Sequence, residues 1–239
     1  MTLTLKESFD RASSQYDCHC DLQKNIGTTL IHLLTIQRKE YPHVIDLGCG
    51  TGFITNQLAT CIQYKSFHAI DFSDAMIAHT KSQLSFPISY GIGDFDHLPM
   101  KGDGFDLIFS NMALHWSKNL NQTLENIPNQ LNHGGMIAIS LPLRGSLQEM
   151  QSHFAINPFP EIASLITILQ KTHCQLLHVN VKSYVLSFQS TYHALKSIKQ
   201  IGSRLISQRP QMGLMSQSLI NKFGIKKLTY QIGYLIGIR

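Results

Sequence analysis

The sequence has few of the features that mark disulfide-rich or zinc-binding proteins. Its 239 residues include five cysteines, an odd number, and no two of them form a Cys-x-x-Cys pair. This argues against a disulfide framework and against the usual zinc-binding spacing. Cys18, His19 and Cys20 are adjacent, but neighbouring residues of a helix point in different directions, and no second ligand cluster occurs. We therefore expect reduced thiols and no metal.

Long apolar runs are also missing. No run approaches the ~18 residues that a membrane-spanning helix needs, and the start, MTLTLKESFDRA, lacks the apolar stretch of a secretory signal. We therefore expect a cytoplasmic protein with no membrane partner. An apolar content of 43% is enough for a sizeable core, and the length favours a single domain over residues 1–239.

Acidic residues are absent from the last third of the chain. Residues 162–239 contain 10 Lys or Arg and no Asp or Glu, whereas residues 1–161 contain 10 Lys or Arg and all 15 acids. A cationic region of this kind attracts an acidic protein, a nucleic acid or an anionic membrane. It is equally compatible with a solvated face that has no partner, and composition leaves these alternatives open.

Strand-like and helix-like patterns alternate from residue 43 to about residue 142. Short apolar segments predict strands at 43–47, 66–70, 87–91, 105–110 and 135–141. Between them, Ser73 is suited to cap a helix through Leu84, and an apolar stripe over 120–131 predicts another helix that Pro128 should kink or end early. This order predicts an α/β fold with a mostly parallel sheet.

Helical segments flank the alternating region. Residues 5–38 predict two helices, and residues 146–154 and 161–170 predict two more. We expect the segments at about 5–38 and about 146–172 to act as helical lids over the sheet.

The end of the chain changes character again. Two long strand-like stretches occupy residues 174–189 and 228–238, and a helical pattern over 191–206 separates them. We expect the two strands to form an antiparallel pair that closes the edge of the sheet.

A glycine-rich loop follows the first predicted strand, in VIDLGCGTGF at residues 44–53. Gly48, Gly50 and Gly52 stand where a backbone must turn sharply and approach a ligand closely. Dinucleotide-binding enzymes use the related pattern G-x-G-x-x-G at the same place in the fold. Because position 53 is Phe, the loop lacks that spacing, which disfavours a nicotinamide oxidoreductase.

Acidic residues accompany the ends of successive strands. Asp46 precedes the glycine loop, and Asp71 ends the second strand, 19 residues beyond Gly52, where a carboxylate can accept both ribose hydroxyls of an adenosyl ligand. Asp94 follows the third strand, where it can read an adenine amine. A single Asp after a strand is most often a cap or a turn former. Three at one edge of a parallel sheet favour a nucleoside site.

At these residues the chain resembles the class I S-adenosylmethionine-dependent methyltransferases. The segments that carry the resemblance are VIDLGCGTG, AIDFS with Asp71, GDFDHLP and FDLIFSNMALHW. More narrowly, and over nearly the whole chain, it is similar to the malonyl-acyl-carrier-protein O-methyltransferases of biotin synthesis, through FDRASSQYD (9–17) with Leu22 and Gln23, SNMALHW (110–116), LPLRGSLQEM (141–150), LKSIKQIG (195–202) and LTYQIGYLIG. The chain departs from that family at His133, where Pro is common, and at Pro128.

The resemblance implies a Rossmann-like sheet of seven strands, mostly parallel, with an antiparallel final strand pair. It also implies methyl transfer from S-adenosylmethionine, leaving S-adenosylhomocysteine, to the free carboxylate of malonyl-phosphopantetheine on an acyl carrier protein. A carboxylate with an ordinary pKa of ~4 is already ionised at neutral pH, so we expect no residue to act as a general acid or base. The acidic carrier protein would bind to the cationic last third of the chain. We expect the enzyme to be a monomer or a weak dimer.

The predicted cofactor-binding residues are Asp46, Gly48, Cys49, Gly50, Gly52, Asp71, Phe72, Met76, Asp94, Phe95, Asn111 and Gln23. The predicted substrate-binding residues are Arg144, Tyr16, His115 and Trp116. Arg144 offers a fork that matches a carboxylate bidentately, although a surface loop arginine has the same sequence signature. Tyr16, Gln23, His115, Trp116 and Met76 also suit ordinary packing roles.

Other functions fit parts of the same sequence. A small-molecule carboxyl methyltransferase, such as one that acts on trans-aconitate, shares a stretch similar to SNMALHW. A catalytically silent module that binds carrier protein is a further alternative. Nucleic-acid amino methyltransferases usually have an Asn- or Asp-Pro-Pro-aromatic turn after the fourth strand. Residues 110–113, Ser-Asn-Met-Ala, do not supply that turn, so we expect no nucleic-acid partner.

Overall fold

The structure is a computed structural model that describes residues 4–83, 86–97, 104–202, 206–207 and 216–239. Its strands are β1 His43–Leu47, β2 Ser66–Asp71, β3 Ser89–Ile92, β4 Phe105–Asn111, β5 Leu131–Pro142, β6 Phe154–Ala155, β7 Gln175–Ser187, β8 Ile206–Ser207 and β9 Lys227–Ile238. Its α-helices are α1 Leu5–Ala12, α2 Asp21–Gln37, α3 Phe53–Cys61, α4 Asp74–Gln83, α5 Leu120–Asn126, α6 Ile162–Lys171, α7 Thr191–Gln200 and α8 Gln217–Asn221.

Seven strands form one sheet in the order β3-β2-β1-β4-β5-β9-β7. Strands β1 to β5 pair in parallel, and β9 pairs antiparallel with both β5 and β7. The predicted Rossmann-like sheet with an antiparallel final strand pair is therefore confirmed. The short strands β6 and β8 pair with each other outside this sheet.

The core lies on both faces of the sheet. On one face, α2 contributes the fully buried Ile26, Leu30 and Leu34. On the other, α5 and α6 contribute Leu124 and Leu169. Central strands covered on both faces are mostly apolar, which is why the segments of β1 and β4 could be identified as short, largely apolar runs. Among the described residues, no helix has both the length and the apolar character required to cross a membrane.

Two local predictions hold at the start and end of helices. The Ser73 hydroxyl accepts a hydrogen bond from the Met76 N–H at 3.1 Å, so it caps α4 as expected. That helix is described to Gln83, and the predicted end at Leu84 lies outside the described residues. Helix α5 ends at Asn126, and Pro128 lies at the start of the 3-10 turn that follows, because it has no N–H to continue the α-helical bonds.

One helix prediction is wrong and another extends too far. Residues 146–154 form turns with only a short 3-10 segment, Gln148–Met150, because Leu147 has φ 57° and donates its N–H to the Thr229 carbonyl of β9 at 2.7 Å. Bonds to a neighbouring strand replace the bonds within a helix that this segment would otherwise make. The predicted helix 191–206 ends at Gln200 as α7, and Ile206–Ser207 pairs instead with Phe154–Ala155.

Strand bounds also shift. The third strand begins at Ser89 and ends at Ile92, compared with the predicted 87–91, since Pro87 cannot donate to a ladder. The fifth strand begins at Leu131, four residues before the predicted residue 135. Leu131 already pairs with Phe105 of β4, although the register between the two strands shifts after this pair.

Candidate active site

The glycine-rich loop joins β1 to α3 at the carboxyl edge of the parallel strands. Gly48, Gly50 and Gly52 have φ values of 78°, 56° and 83°, a region that residues with a side chain rarely adopt. The N–H groups of Gly48 and Cys49 both bond to the Ile70 carbonyl, at 2.8 and 3.0 Å, which holds the loop against β2. A Cβ atom on Gly48 would lie 2.3 Å from the Cβ of Ala113. This loop therefore needs glycine at position 48 for both conformation and space.

Two buried carboxyl groups lie beside this loop, and neutral groups donate to both. Asp46 is 2% exposed, and one of its oxygens accepts the Thr55 hydroxyl at 2.6 Å. Burial, assisted by the charge of Asp71, raises the pKa of Asp46 to about 7. The Asp71 oxygens accept the N–H groups of Ser73 and Gly50, each at 2.9 Å, while burial raises the pKa of this carboxyl. Negative charge here is poorly compensated, which suits a cationic ligand.

A cavity of about 50 Å³ opens beside the loop. Its described lining is Tyr16, Cys20, Gln23, Lys24, Asp46, Gly48, Cys49, Gly50, Thr51, Phe53, Ile54 and Asn111. We call it the cofactor cavity. It brings together seven of the predicted site residues, including Asn111, whose amide donates to the Gln23 carbonyl at 3.1 Å and accepts the Ser140 hydroxyl at 2.7 Å.

The remaining predicted cofactor residues lie along the same sheet edge but outside that lining. Gly52 is the N-cap residue that precedes α3, and Asp71, Met76 and Phe95 are buried. Phe72 makes an edge contact with the ring of Phe9, at 5.5 Å between centroids. Asp94 is half exposed; it accepts the N–H of Asp96 at 2.9 Å and lies 3.5 Å from the Lys118 ammonium.

A second cavity, of about 60 Å³, adjoins the first. Its described lining is Phe9, Tyr16, Gln23, Met112, His115, Trp116, Pro142, Leu147, Ile156, Asn157, Phe159, Ile198, Ile201 and Tyr230. We call it the acceptor cavity. Tyr16 and Gln23 line both cavities, so the two spaces meet at these side chains. The predicted substrate residues Tyr16, His115 and Trp116 all face this space.

The polar groups of the acceptor cavity are neutral. Burial lowers the pKa of His115 to about 3, and its Nδ1 atom is buried without a hydrogen-bond partner. Burial raises the pKa of Tyr16 far above its usual value, so its hydroxyl stays protonated. The side-chain oxygen of Gln23 is also buried without a partner. Unpaired buried polar atoms are costly, and these two carry hydrogen-bonding capacity that a ligand can use.

Arg144 is not among the described residues that line either cavity. Its side chain is 76% exposed and forms an ion pair with Glu161. Its backbone N–H donates to the Pro160 carbonyl at 2.8 Å, beside Phe159 of the cavity lining. The structure therefore places the Arg144 backbone next to the acceptor-cavity lining, while its exposed guanidinium pairs with Glu161.

Several residues near the two cavities were not predicted. The Thr51 hydroxyl donates to Asp17 at 2.6 Å, which fastens the N-terminal segment to the glycine loop. Lys24 lines the cofactor cavity and lies 4.5 Å from the ring centre of Phe53. Because Lys24 directly follows the predicted site residue Gln23, the sequence could have indicated that it lies near the cofactor cavity. Tyr230 lies in the segment LTYQIGYLIG, but nothing in that segment indicates a cavity position, since only the pairing of β9 brings it to the acceptor cavity.

Comparison with known proteins gives a family match over more than half of the chain. Residues 39–175 match a family model described as a methyltransferase domain. The malonyl-[acyl-carrier protein] O-methyltransferase 2 of Coxiella burnetii is 31% identical over 234 residues, which cover 97% of this chain and 94% of that protein.

Solved structures share the fold at lower identity. A Haloferax volcanii protein in complex with the Trm112 methyltransferase activator has a TM-score of 0.69 and 15% identity, over 98% of this chain and 97% of that one. The N-methyltransferase NodS of Bradyrhizobium japonicum, in complex with S-adenosylhomocysteine, has a TM-score of 0.60 and 15% identity, over 98% of both chains.

Proposed function

This chain belongs to the methyltransferase-domain family, and we propose that it methylates the free carboxylate of malonyl-acyl-carrier protein, an early step of biotin synthesis. The full-length similarity to a relative named for that reaction supports the acceptor. The observation that carries the proposal is the meeting of two cavities at Tyr16 and Gln23, one beside a glycine-rich loop and the other largely apolar. Such a junction suits transfer of a small group from one ligand to another.

The residues of the cofactor cavity fit S-adenosylmethionine, which supplies a methyl group on a positively charged sulfur. Gly48 leaves the loop backbone uncovered for a close approach, and a Cβ there would meet Ala113. Asp71, at the end of β2, would accept ribose hydroxyls, and the buried Asp46 would favour a cationic ligand. Lys24 is the cation among the described lining residues, and it would face a ligand carboxylate.

The acceptor cavity fits a slender apolar arm that ends in a polar group. Most of its described lining is apolar, and the neutral Tyr16, His115 and Gln23 supply hydrogen bonds. A carboxylate is already ionised at neutral pH, so the chain's task is to hold and align it and to exclude water. Arg144 at the cavity mouth would bind the carboxylate bidentately.

The carrier protein would dock on the cationic surface beside this cavity. Helix α7 buries Ile198 in the acceptor cavity and exposes Lys196 and Lys199 on its other side. Because the last third of the chain contains no acid, nothing on it offsets these charges for an acidic partner. Docking here would bring the carried arm to the cavity mouth.

The runner-up acceptor, trans-aconitate, has less support. It is a small tricarboxylate, and burying several charges requires several cations. None of the described residues that line the acceptor cavity is Lys or Arg. A single carboxylate at the end of an apolar arm needs only one cationic partner, and Arg144 can supply it.

Product identification tests the proposal. Purified protein would be incubated with S-adenosylmethionine and, separately, malonyl-acyl-carrier protein, malonyl-CoA and trans-aconitate, and each product weighed. We expect the malonyl carrier protein to gain one methyl group, located on the malonyl carboxylate by fragmentation. Reactions with acetyl-acyl-carrier protein, which has no free carboxylate, serve as the control and should give no product. Methylation of trans-aconitate alone would overturn the proposed acceptor.

A further inference from the structure

An ion pair joins Arg144 to Glu161 beside the acceptor cavity. We infer that Glu161 is the resting counter-ion of Arg144 and competes with the acceptor carboxylate for its guanidinium, a role that rests on the proposed function. Glu161 is thus a positioning residue that acts through Arg144. It holds the arginine outside the cavity until an anionic acceptor arrives, and takes it back once the acceptor has become a neutral ester.

The backbone on both sides of Arg144 is held by hydrogen bonds to β9, whereas the arginine side chain is exposed. Leu143 N–H donates to the Gln231 carbonyl at 2.7 Å, and the Ser146 hydroxyl donates to the same carbonyl at 3.1 Å. Two Glu149 oxygens accept the N–H and hydroxyl of Thr229. These contacts extend the β5–β9 pairing into the loop. Since the Arg144 side chain is 76% exposed, its rotation meets little packing.

The cavity itself creates the demand for a cation. Among the described residues of its lining there is no Lys or Arg, and the buried His115 is neutral. A carboxylate entering such a space without a partner loses hydration that nothing replaces. Pro142, two residues before Arg144, and Phe159, next to the Pro160 that accepts its N–H, both belong to the lining. The backbone of Arg144 therefore lies beside the cavity lining, and from this position we infer that its side chain can reach an entering carboxylate.

The pair with Glu161 is weak enough to exchange. Both side chains are substantially exposed, 76% for Arg144 and 47% for Glu161, and exposed pairs of this kind contribute little. Glu161 is the N-cap residue of α6, yet its side chain makes no capping hydrogen bond. Its carboxylate pairs with Arg144 and does not cap the helix. Replacing Glu161 with glutamine should therefore leave α6 intact.

Steady-state kinetics of Glu161→Gln tests this role. Malonyl-pantetheine is the acceptor, because it lacks a carrier protein and so removes docking effects. Freed from its counter-ion, Arg144 should bind the carboxylate more readily, and the acceptor KM should fall about two- to fivefold, the range set by an exposed pair. The value of kcat should be nearly unchanged. Glu161→Asp, which keeps the charge, should stay closer to the wild type.

Two controls separate this role from general electrostatics and from structure. Glu125→Gln removes an exposed acid from α5 and should leave KM unchanged. In an Arg144→Gln background, which has no positive charge at position 144, Glu161→Gln should have much less effect. An unchanged or raised KM in Glu161→Gln, or an equal fall in the Arg144→Gln background, would overturn the inference alone. Absence of any methylated malonyl product in the wild type would overturn the proposed function, and the inference with it.

Discussion

The cofactor cavity and the acceptor cavity adjoin each other but are built in different ways. The first takes seven of its twelve described lining residues from one contiguous segment, residues 46–54, and includes the buried Asp46 and a lysine. The second gathers short pieces from α1 to β9, and its described polar groups are neutral. A ligand that carries charge of both signs suits the first cavity, whereas an apolar arm suits the second. The difference shows that a local motif encodes donor binding, while acceptor binding depends on the assembled fold.

The largest effect should come from Gly48→Ala, which breaks the cofactor side. The added Cβ would lie 2.3 Å from Ala113 Cβ, and φ is 78°. Left-handed strain and overpacking together should destabilise the protein by roughly 2–5 kcal/mol and weaken S-adenosylhomocysteine binding by more than about tenfold. Thermal unfolding and calorimetry would measure both.

Gly134→Ala is the matched control for that substitution. Gly134 has a similar φ, 75°, but a Cβ there meets no atom within 4 Å. It should therefore incur only the left-handed strain, about 1–2 kcal/mol, with cofactor binding unchanged. Equal losses in the two variants would show that the approach of Gly48 to Ala113 is not what the loop requires.

On the acceptor side, Arg144→Lys should raise the malonyl KM by roughly tenfold or more. Lysine keeps the charge but loses the bidentate geometry, and hydrogen bonds to charged groups contribute about 1.5–3 kcal/mol. The affinity for S-adenosylhomocysteine should not change, since Arg144 is not among the described residues that line the cofactor cavity. Unchanged malonyl kinetics would remove Arg144 from the acceptor site.

The pH dependence of donor binding should also distinguish the two sides. The pKa of Asp46 is raised to about 7, so below that pH the free protein holds it neutral, and ionisation on binding a cationic ligand requires loss of its proton. The Kd for S-adenosylmethionine should therefore fall as pH rises towards 7, by at most about tenfold per unit, and level off above it. Calorimetry from pH 6 to pH 8 would measure this. Asp46→Asn should flatten the profile, and an identical profile in that variant would exclude Asp46 as the cause.

The smallest effect concerns the docking surface. Replacing Lys196 and Lys199 together with glutamate should raise the KM for malonyl-acyl-carrier protein about fivefold at low salt, while malonyl-pantetheine kinetics stay unchanged. The difference should shrink at high ionic strength. Lys171→Glu, on α6 in the same cationic third, is the control and should have little effect. A similar loss with malonyl-pantetheine would place the effect in the cavity and not in docking.

The contrast between the two cavities also determines what the sequence could predict. Strands β1 and β4 are buried on both faces, so their largely apolar sequences could be identified locally. Position 48 has no room for a side chain, so its glycine could be identified in the same way. The segment 146–154 has a helical pattern, but the backbone bond of Leu147 to β9, together with side-chain bonds of Ser146 and Glu149 to that strand, prevails. Tyr230 lies in a segment that indicates the family but not a place in a cavity.

Long-range charge pairing is equally hidden in the sequence. Arg144 could be proposed as a carboxylate ligand from its type and motif. Its ion pair with Glu161 depends on the approach of the loop after β5 to the start of α6, seventeen residues later. No periodicity or spacing rule indicates that contact, because it arises only when the sheet and the outer helix are assembled.

A competition assay tests the central claim most directly. Malonyl-acyl-carrier protein and trans-aconitate would be offered together at equal concentration with S-adenosylmethionine labelled in the methyl group. The label should accumulate on the carrier protein as a methyl ester of its malonyl group, and Arg144→Lys should reduce that labelling. Label found mainly on trans-aconitate, or on neither acceptor while S-adenosylhomocysteine still binds, would contradict the assignment of malonyl-acyl-carrier protein as the acceptor.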